Sequence, residues 1–209
     1  MSTFNQTPDN ALLREGGFVD DPTKYTFYQA LECALRHEGG FVNDPSDPGG
    51  ATNYGVSFRF LAQVGELDLD QDGRKDGDFD LDGDVDVGDI RSMSPQDAAK
   101  IYQLHWWDKY GYEGINAPRI AIKLFDLSIN MGARQAHKCL QRALRACGHE
   151  GVVDDGVLGP KTFEAINKTS ALELNAALRS EAAGFYRALV AAKPPLSKYI
   201  NGWLNRAYS

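Results

Sequence analysis

Apolar residues recur at three- and four-residue steps along most of this chain and alternate with polar ones almost nowhere, which predicts a structure dominated by helices. The first clear stripe is Phe27, Ala30, Leu31, Ala34 and Leu35. Thr26 with Gln29 has capping-box spacing at its start, and Gly39 and Gly40 end it. FVNDPSDPGGATNYGVS then interrupts the helical period with short apolar fragments among turn residues, so a β-hairpin or loop lobe is expected there. Periodicity returns in SPQDAAKIYQLHWWDKY, where Ser94 caps, Pro95 opens and Asp97 lies in the first turn. Further helices are PRIAIKLFDLSINMG ending at Gly132, ARQAHKCLQRALRACG ending at Gly148, GPKTFEAIN from Pro160, ALELNAALRSEAAGFYRALVAA stopping before Pro194, and LSKYINGWLNRAY. The fold class is mainly α, of the α+β kind: a helical body with a small β or loop lobe. Residues 1–25 read as a polar N-terminal arm, 26–93 as a lobe carrying an acidic insertion at 66–90, and 94–209 as a helical lobe packed with it as one unit.

Composition adds little until charge is located. With 209 residues and 43% hydrophobic content, the chain can bury one core or one core plus a small lobe. No stretch of about eighteen apolar residues occurs, and MSTFNQTPDN has no basic start before an apolar run, so neither a membrane span nor a secretory signal is expected. That predicts a chain made soluble and left in the cytoplasm. Cys33, Cys139 and Cys147 form no close metal-type pair and read as reduced, mostly buried thiols. His105, His137 and His149 lack zinc-ligand spacing, and no basic stripe offers itself to nucleic acid. The net charge is −7, but eleven acids and two bases fall between Glu66 and Asp89, leaving 20 bases and 18 acids elsewhere. Acidity belongs to one segment.

So dense a run of carboxylates repels itself unless a cation neutralises it. From Asp78 the sequence supplies Asp78, Asp80 and Asp82, then Gly83 for the sharp turn, Asp84 where a backbone carbonyl is wanted, and Asp89 at the twelfth place. This is the oxygen spacing of an EF-hand calcium loop, and an aspartate at its end resembles dockerin-type loops. The preceding run, Asp68, Asp70, Asp72, Gly73 and Asp76, opens the same way but has Phe79 at its twelfth place, so a second calcium held by these aspartates would share Asp78. The expected ligand is Ca²⁺ in a structural role.

One phrase occurs twice, REGGFVDDP from Arg14 and HEGGFVNDP from His37. Residue 38 falls eleven, seven and four positions after Phe27, Leu31 and Ala34, so Glu38 continues the apolar face of the first helix, in its last turn. Partial burial and the negative end of the helix dipole both penalise its ionised form, which suits a general acid that must keep its proton. Glu15 follows no such stripe. Asp47 and Thr52 stand nine and fourteen residues past Glu38 in a glycine-rich lobe, whereas the same offsets from Glu15 reach Lys24 and Gln29. An acid and a second carboxylate are what glycosidic hydrolysis requires. HEGGFVNDPSDPGGATNYGVS resembles the N-terminal signature of glycoside hydrolase family 108, the N-acetylmuramidase-type lysozymes. AIKLFDLSINMG, DDGVLGPKTFEAIN, FYRALVAAKPP and NGWLNRAY are similar to the peptidoglycan-binding region that accompanies it. The resemblance implies a lysozyme-like fold and cleavage between N-acetylmuramic acid and N-acetylglucosamine in bacterial peptidoglycan, with Glu38 as catalytic acid and Asp47 and Thr52 as its helpers.

A phage endolysin follows from that resemblance: a monomer made in the host cytoplasm that reaches the wall through holin-type export or lysis, without inserting in the membrane. The rival readings are a lytic transglycosylase, which needs one glutamate and no second carboxylate, and a non-catalytic wall-binding module. Trp106, Trp107, Tyr110 and Tyr112 can stack on sugar but suit a core better. Asp126, Asn130 and Gly132 fit a helix end.

Overall fold

A computed structural model of the chain describes residues 22–35, 41–43 and 50–209, with side chains from residue 25 onward. The chain divides into two compact units, residues 1–109 and 110–209.

In the first unit, helix α1 spans Pro22–Leu35. It begins four residues before Thr26, so residues 22–25 are helical and not part of an arm, and Thr26 lies inside the helix. Proline tolerates the first turn because its missing N–H has no intrahelical acceptor there. The predicted stripe holds: Phe27, Ala30, Leu31 and Ala34 are all buried. The lobe that follows contains β1 (Thr52–Asn53) and β2 (Val56–Ser57), antiparallel with Thr52 opposite Ser57 and Asn53 opposite Val56. Tyr54 and Gly55 form its two-residue turn with φ of 47° and 77°, the paired left-handed residues whose twist suits a tight hairpin. A left-handed tyrosine is unfavourable, and the Tyr102 hydroxyl holds it by donating to the Tyr54 carbonyl at 3.1 Å.

Helix α2 (Phe58–Val64) starts at once, with the Ser57 hydroxyl accepting from the Phe60 N–H at 3.3 Å. Seven residues are too few to show a period, so sequence pattern missed it. After the acidic insertion come α3 (Val87–Ser92) and α4 (Pro95–Tyr102). Ser94 caps α4 as expected, and Asp97 in its first turn completes a capping box, at 3.2 and 2.8 Å. A π-helical turn, Gln103–Asp108, continues it. That turn buries His105 and Trp107, the latter edge-on to Phe27 at 5.5 Å, and lays Trp106 over Phe60 at 4.3 Å. These contacts place α4 and the π-turn in the first unit, beyond the 93/94 boundary read from the sequence.

The second unit opens with a 3₁₀ turn, Tyr112–Gly114, followed by α5 (Pro118–Met131), α6 (Ala133–Ala146), α7 (Pro160–Lys168), α8 (Ala171–Ala192), a 3₁₀ segment (Pro194–Tyr199) and α9 (Ile200–Tyr208). The last predicted helix is thus split, its first part held in the tighter 3₁₀ form after two prolines. Helix α6 packs along α5 and α8, and α9 returns onto α8. Three buried polar groups tie α9 to α5 as well: the Lys123 ammonium donates to the Arg206 carbonyl, and Asp126 lies 3.7 Å from the Arg206 guanidinium. Tyr186 stacks on Trp203 at 5.3 Å. The C-terminal helices therefore complete the core of this unit. Among the described residues no disulfide joins Cys33, Cys139 or Cys147, and only Cys139 is fully buried.

Asn53 is the point where the hairpin is tied down. Buried, it donates from Nδ2 to the carbonyls of Ile90 at 3.0 Å and Met93 at 3.4 Å. Asn53→Ala strands both acceptors, and the expected loss is about 1–3 kcal/mol in urea unfolding. An unchanged midpoint refutes the anchoring role.

Candidate functional site

Of the three residues expected to carry acid–base chemistry, Glu38 and Asp47 lie outside the described residues, as does Glu15. Thr52 is described. Its backbone N–H and C=O both bond Val42, each at 2.8 Å, while its other edge pairs with Ser57, so it is the middle position of a short meander. Ala51 and Asn53 are buried and Thr52 is half-buried, the alternation of a strand with one face on a core. The Thr52 side chain therefore stands on the face opposite Asn53.

The acidic insertion is a built structure. Its two runs adopt the same backbone ten residues apart: Gln71 and Leu81 have φ of 60° and 65°, and Gly73 and Gly83 have φ of 87° and 98°. The Asp68 carboxylate accepts from Gly73 N–H at 3.0 Å, as Asp78 does from Gly83 at 3.1 Å; Asp72 accepts from Arg74 at 2.9 Å, as Asp82 does from Asp84 at 3.1 Å. The shared opening seen in the sequence is thus a ten-residue tandem repeat of backbone structure. Gly77 joins the two loops against the end of α2, its N–H donating to the Gly65 carbonyl at 3.0 Å. A β-carbon on Gly77 would lie 2.6 Å from the Gly65 α-carbon, so no side chain fits there.

Carboxylates converge in both loops. One oxygen from each of Asp68, Asp70 and Asp76 lies within 4.8 Å of the others, and the same holds for Asp78, Asp80 and Asp89 and for Asp84, Asp86 and Asp89. Asp72 and Asp82, expected ligands, join none of these groups. Asp86, at the ninth place of the second loop, was missed; its equivalent in the first loop is Asp76, and the ten-residue offset between them is the signal that finds it. Desolvation first, then the like charges of Asp82, Asp89 and Asp78, push the Asp80 carboxyl above the ordinary carboxylate range. Asp84 is pushed up mainly by Asp82. Asp70 goes the other way, held down chiefly by its hydrogen bond to Lys100.

Asp89 locks the second loop. Fully buried, it accepts from the N–H groups of Phe79 at 2.7 Å and Asp80 at 3.3 Å through one oxygen, and from Asp86 at 2.7 Å through the other. It lies in α3, whose Ile90 carbonyl receives Asn53 and whose Arg91 guanidinium sits 5.6 Å over the Phe41 ring. Helix α3, into which the insertion runs, thereby touches both the hairpin and Phe41.

In the second unit, His137 is buried with Nδ1 donating to the Gly156 carbonyl at 3.0 Å and Nε2 accepting from the Tyr112 hydroxyl at 2.8 Å. Ser128, 2.7 Å from the same hydroxyl, donates to the Leu124 carbonyl. Tyr112 is thus core. Gly132, with φ of 84°, ends α5, and Asn130 accepts from the Tyr186 hydroxyl at 2.7 Å, so the FDLSINMG residues serve helix termination and packing. Among the described residues no helix is long and apolar enough to cross a membrane.

Residues 31–132 match the family model described as glycosyl hydrolase 108, and residues 135–208 match one described as a predicted peptidoglycan domain. A solved structure described as that of Brucella abortus SagA is 26% identical, covering 88% of this chain and 95% of its own, with a TM-score of 0.62. No curated protein matches.

Burial holds the His137 imidazole below its ordinary range, only partly opposed by the Gly156 carbonyl; the rings packed against it, Tyr110 and Tyr112, carry no charge near neutrality. The folded chain therefore takes up this proton less readily than the unfolded chain, whose imidazole titrates near about 6.5. Its contribution to stability is full above that pH and falls away as pH drops below it. Thermal unfolding from pH 7.5 to 5 should decline less steeply in His137→Gln than in wild type, and parallel curves would remove His137 as the cause.

Proposed function

We propose that this chain, a glycoside hydrolase of peptidoglycan by its glycosyl hydrolase 108 and predicted peptidoglycan matches, cleaves the β-1,4 bond between N-acetylmuramic acid and N-acetylglucosamine with Glu38 as the acid. The observation that carries the reading is the buried stripe of α1, Phe27, Leu31 and Ala34, whose face Glu38 continues in sequence, inside the matched residues 31–132. Glu38 protonates the leaving oxygen as the glycosidic bond breaks. Asp47 activates water or supports the positive charge that develops on the sugar, and the Thr52 hydroxyl positions that water. The proposed setting is phage lysis, with the enzyme acting as a monomer on the wall after holin-type export or lysis.

We assign the second acidic loop a structural Ca²⁺, with Asp78, Asp80, Asp86 and Asp89 as its carboxylates and Asp82 and Asp84 beside them. The fit rests on two convergent groups that share Asp89, one with Asp78 and Asp80 and one with Asp84 and Asp86, and on one orphan: the Asp78 Oδ1 atom is buried with no hydrogen-bond partner. The ion would supply charge neutralisation alone, since a calcium saturated by protein oxygens has no role in bond cleavage.

Glu38→Gln removes the transferable proton with almost no change of shape. Wild type should clear a peptidoglycan suspension and release reducing ends, and the variant should lose at least about 100-fold, the usual scale of general acid catalysis. Equal rates would end the assignment; 1,6-anhydro products would reassign the reaction to transglycosylation. For calcium, chelation should lower the melting temperature and added Ca²⁺ should restore it by mass action, about 2.7 kcal/mol at a hundred times the dissociation constant. Lost activity at an unmoved melting temperature would contradict a structural role.

A further inference from the structure

We infer that the Lys100 ammonium is the resident cation of the first acidic loop, so that this loop holds no metal while Lys100 is present. The two loops share one backbone but not one charge arrangement. In the second, Asp89 closes the loop; ten residues earlier the closing position is Phe79. Calcium takes six to eight oxygens, and with Phe79 in that place the first loop offers one carboxylate fewer than the second, which makes it the weaker ion site and the one a tethered ammonium can hold against Ca²⁺.

What it has instead comes from α4. Lys100 Nζ lies 2.8 Å from Asp70, 3.5 Å from Asp72 and 3.8 Å from Asp76. Asp76 is 2% exposed, one of its carboxyl oxygens converges with oxygens of Asp68 and Asp70, and its Oδ1 atom, the one 3.8 Å from Lys100, makes no hydrogen bond. A buried carboxyl oxygen without a hydrogen bond, on a residue of a carboxylate cluster, marks a cation position. An ammonium with three donors suits it, and being tethered to α4 it loses no translational freedom on binding. His105 Nε2 stands 3.6 Å from the other oxygen of Asp76, away from Asp70 and Asp72, and Lys75 is turned away: its ammonium bonds Glu66 at 2.7 Å and the Gly83 carbonyl at 2.8 Å. Among the described residues, no ammonium or guanidinium reaches within 4 Å of a carboxylate of the second loop. One loop is thus filled from within the protein and the other is open to an ion.

The inference leans on the calcium reading of the second loop only for the wild-type baseline. The test is Ca²⁺ stoichiometry by titration calorimetry on the full chain, for wild type, Lys100→Met and Lys100→Gln. Wild type should bind one ion and each variant two, and adding Asp76→Asn to Lys100→Met should remove the gained ion. A wild type that binds two ions, or variants that bind no more than wild type, overturns the inference. A wild type that binds none beside variants that bind one sinks the calcium reading of the second loop and upholds the role of Lys100.

Discussion

One buried carboxylate holds the first unit's irregular half together. Asp89 has no access to solvent and is surrounded by the N–H groups of Phe79, Asp80 and Asp86. Hydrogen bonds to a charged acceptor are worth about 1.5–3 kcal/mol each, so this residue fixes the start of the second loop, its end and the first turn of α3 at once. Everything downstream depends on where α3 then lies. Its Ile90 carbonyl takes the Asn53 amide, and Asn53 is the inward neighbour of Thr52 in the hairpin. Its Arg91 covers Phe41. An insertion that looks like decoration is the brace of the lobe that carries the proposed chemistry.

That brace is made of the least suitable material for packing. Ten aspartates in a short span must be separated, hydrogen-bonded or neutralised, and the structure uses all three means. Asp89 is satisfied by backbone N–H groups, Asp72 and Asp82 turn onto their own loops, and Asp70 and Asp76 face Lys100. The remainder, centred on Asp80 and Asp84, stays mutually repulsive, and this is where an external dication has the most to offer.

Elements with a long apolar period could be read from the sequence and elements built by contacts could not. The stripes of α1, α5 and α6, the Ser94–Asp97 box, Pro160 at a helix start and Gly132 at a helix end all carry local signals that tertiary structure did not override. Helices α2 and α3 are one to two turns long, and the π-turn at Gln103–Asp108 depends on packing Trp106 and Trp107 against Phe60 and Phe27, so none leaves a period to detect. In the acidic segment the ligand types were visible from spacing. The first loop's partner was not, because Lys100 lies 24 residues beyond Asp76, on another element.

The brace also explains how so small a hairpin can be part of a site at all. Two strands of two residues, joined through a left-handed tyrosine, are below the size that holds a conformation alone in water. Three outside contacts make up the deficit: the Val42 bridge along one edge of Thr52, the Tyr102 hydroxyl on the turn, and the Asn53 amide on α3. Two of these come from α3 and α4, the helices that flank the end of the insertion. In the proposed reaction, a hydroxyl that positions water must keep its place to within a fraction of an ångström. The precision of Thr52 is therefore set less by its own strand than by whether the loops behind α3 are electrostatically settled, which couples cation balance in the insertion to the geometry of the lobe.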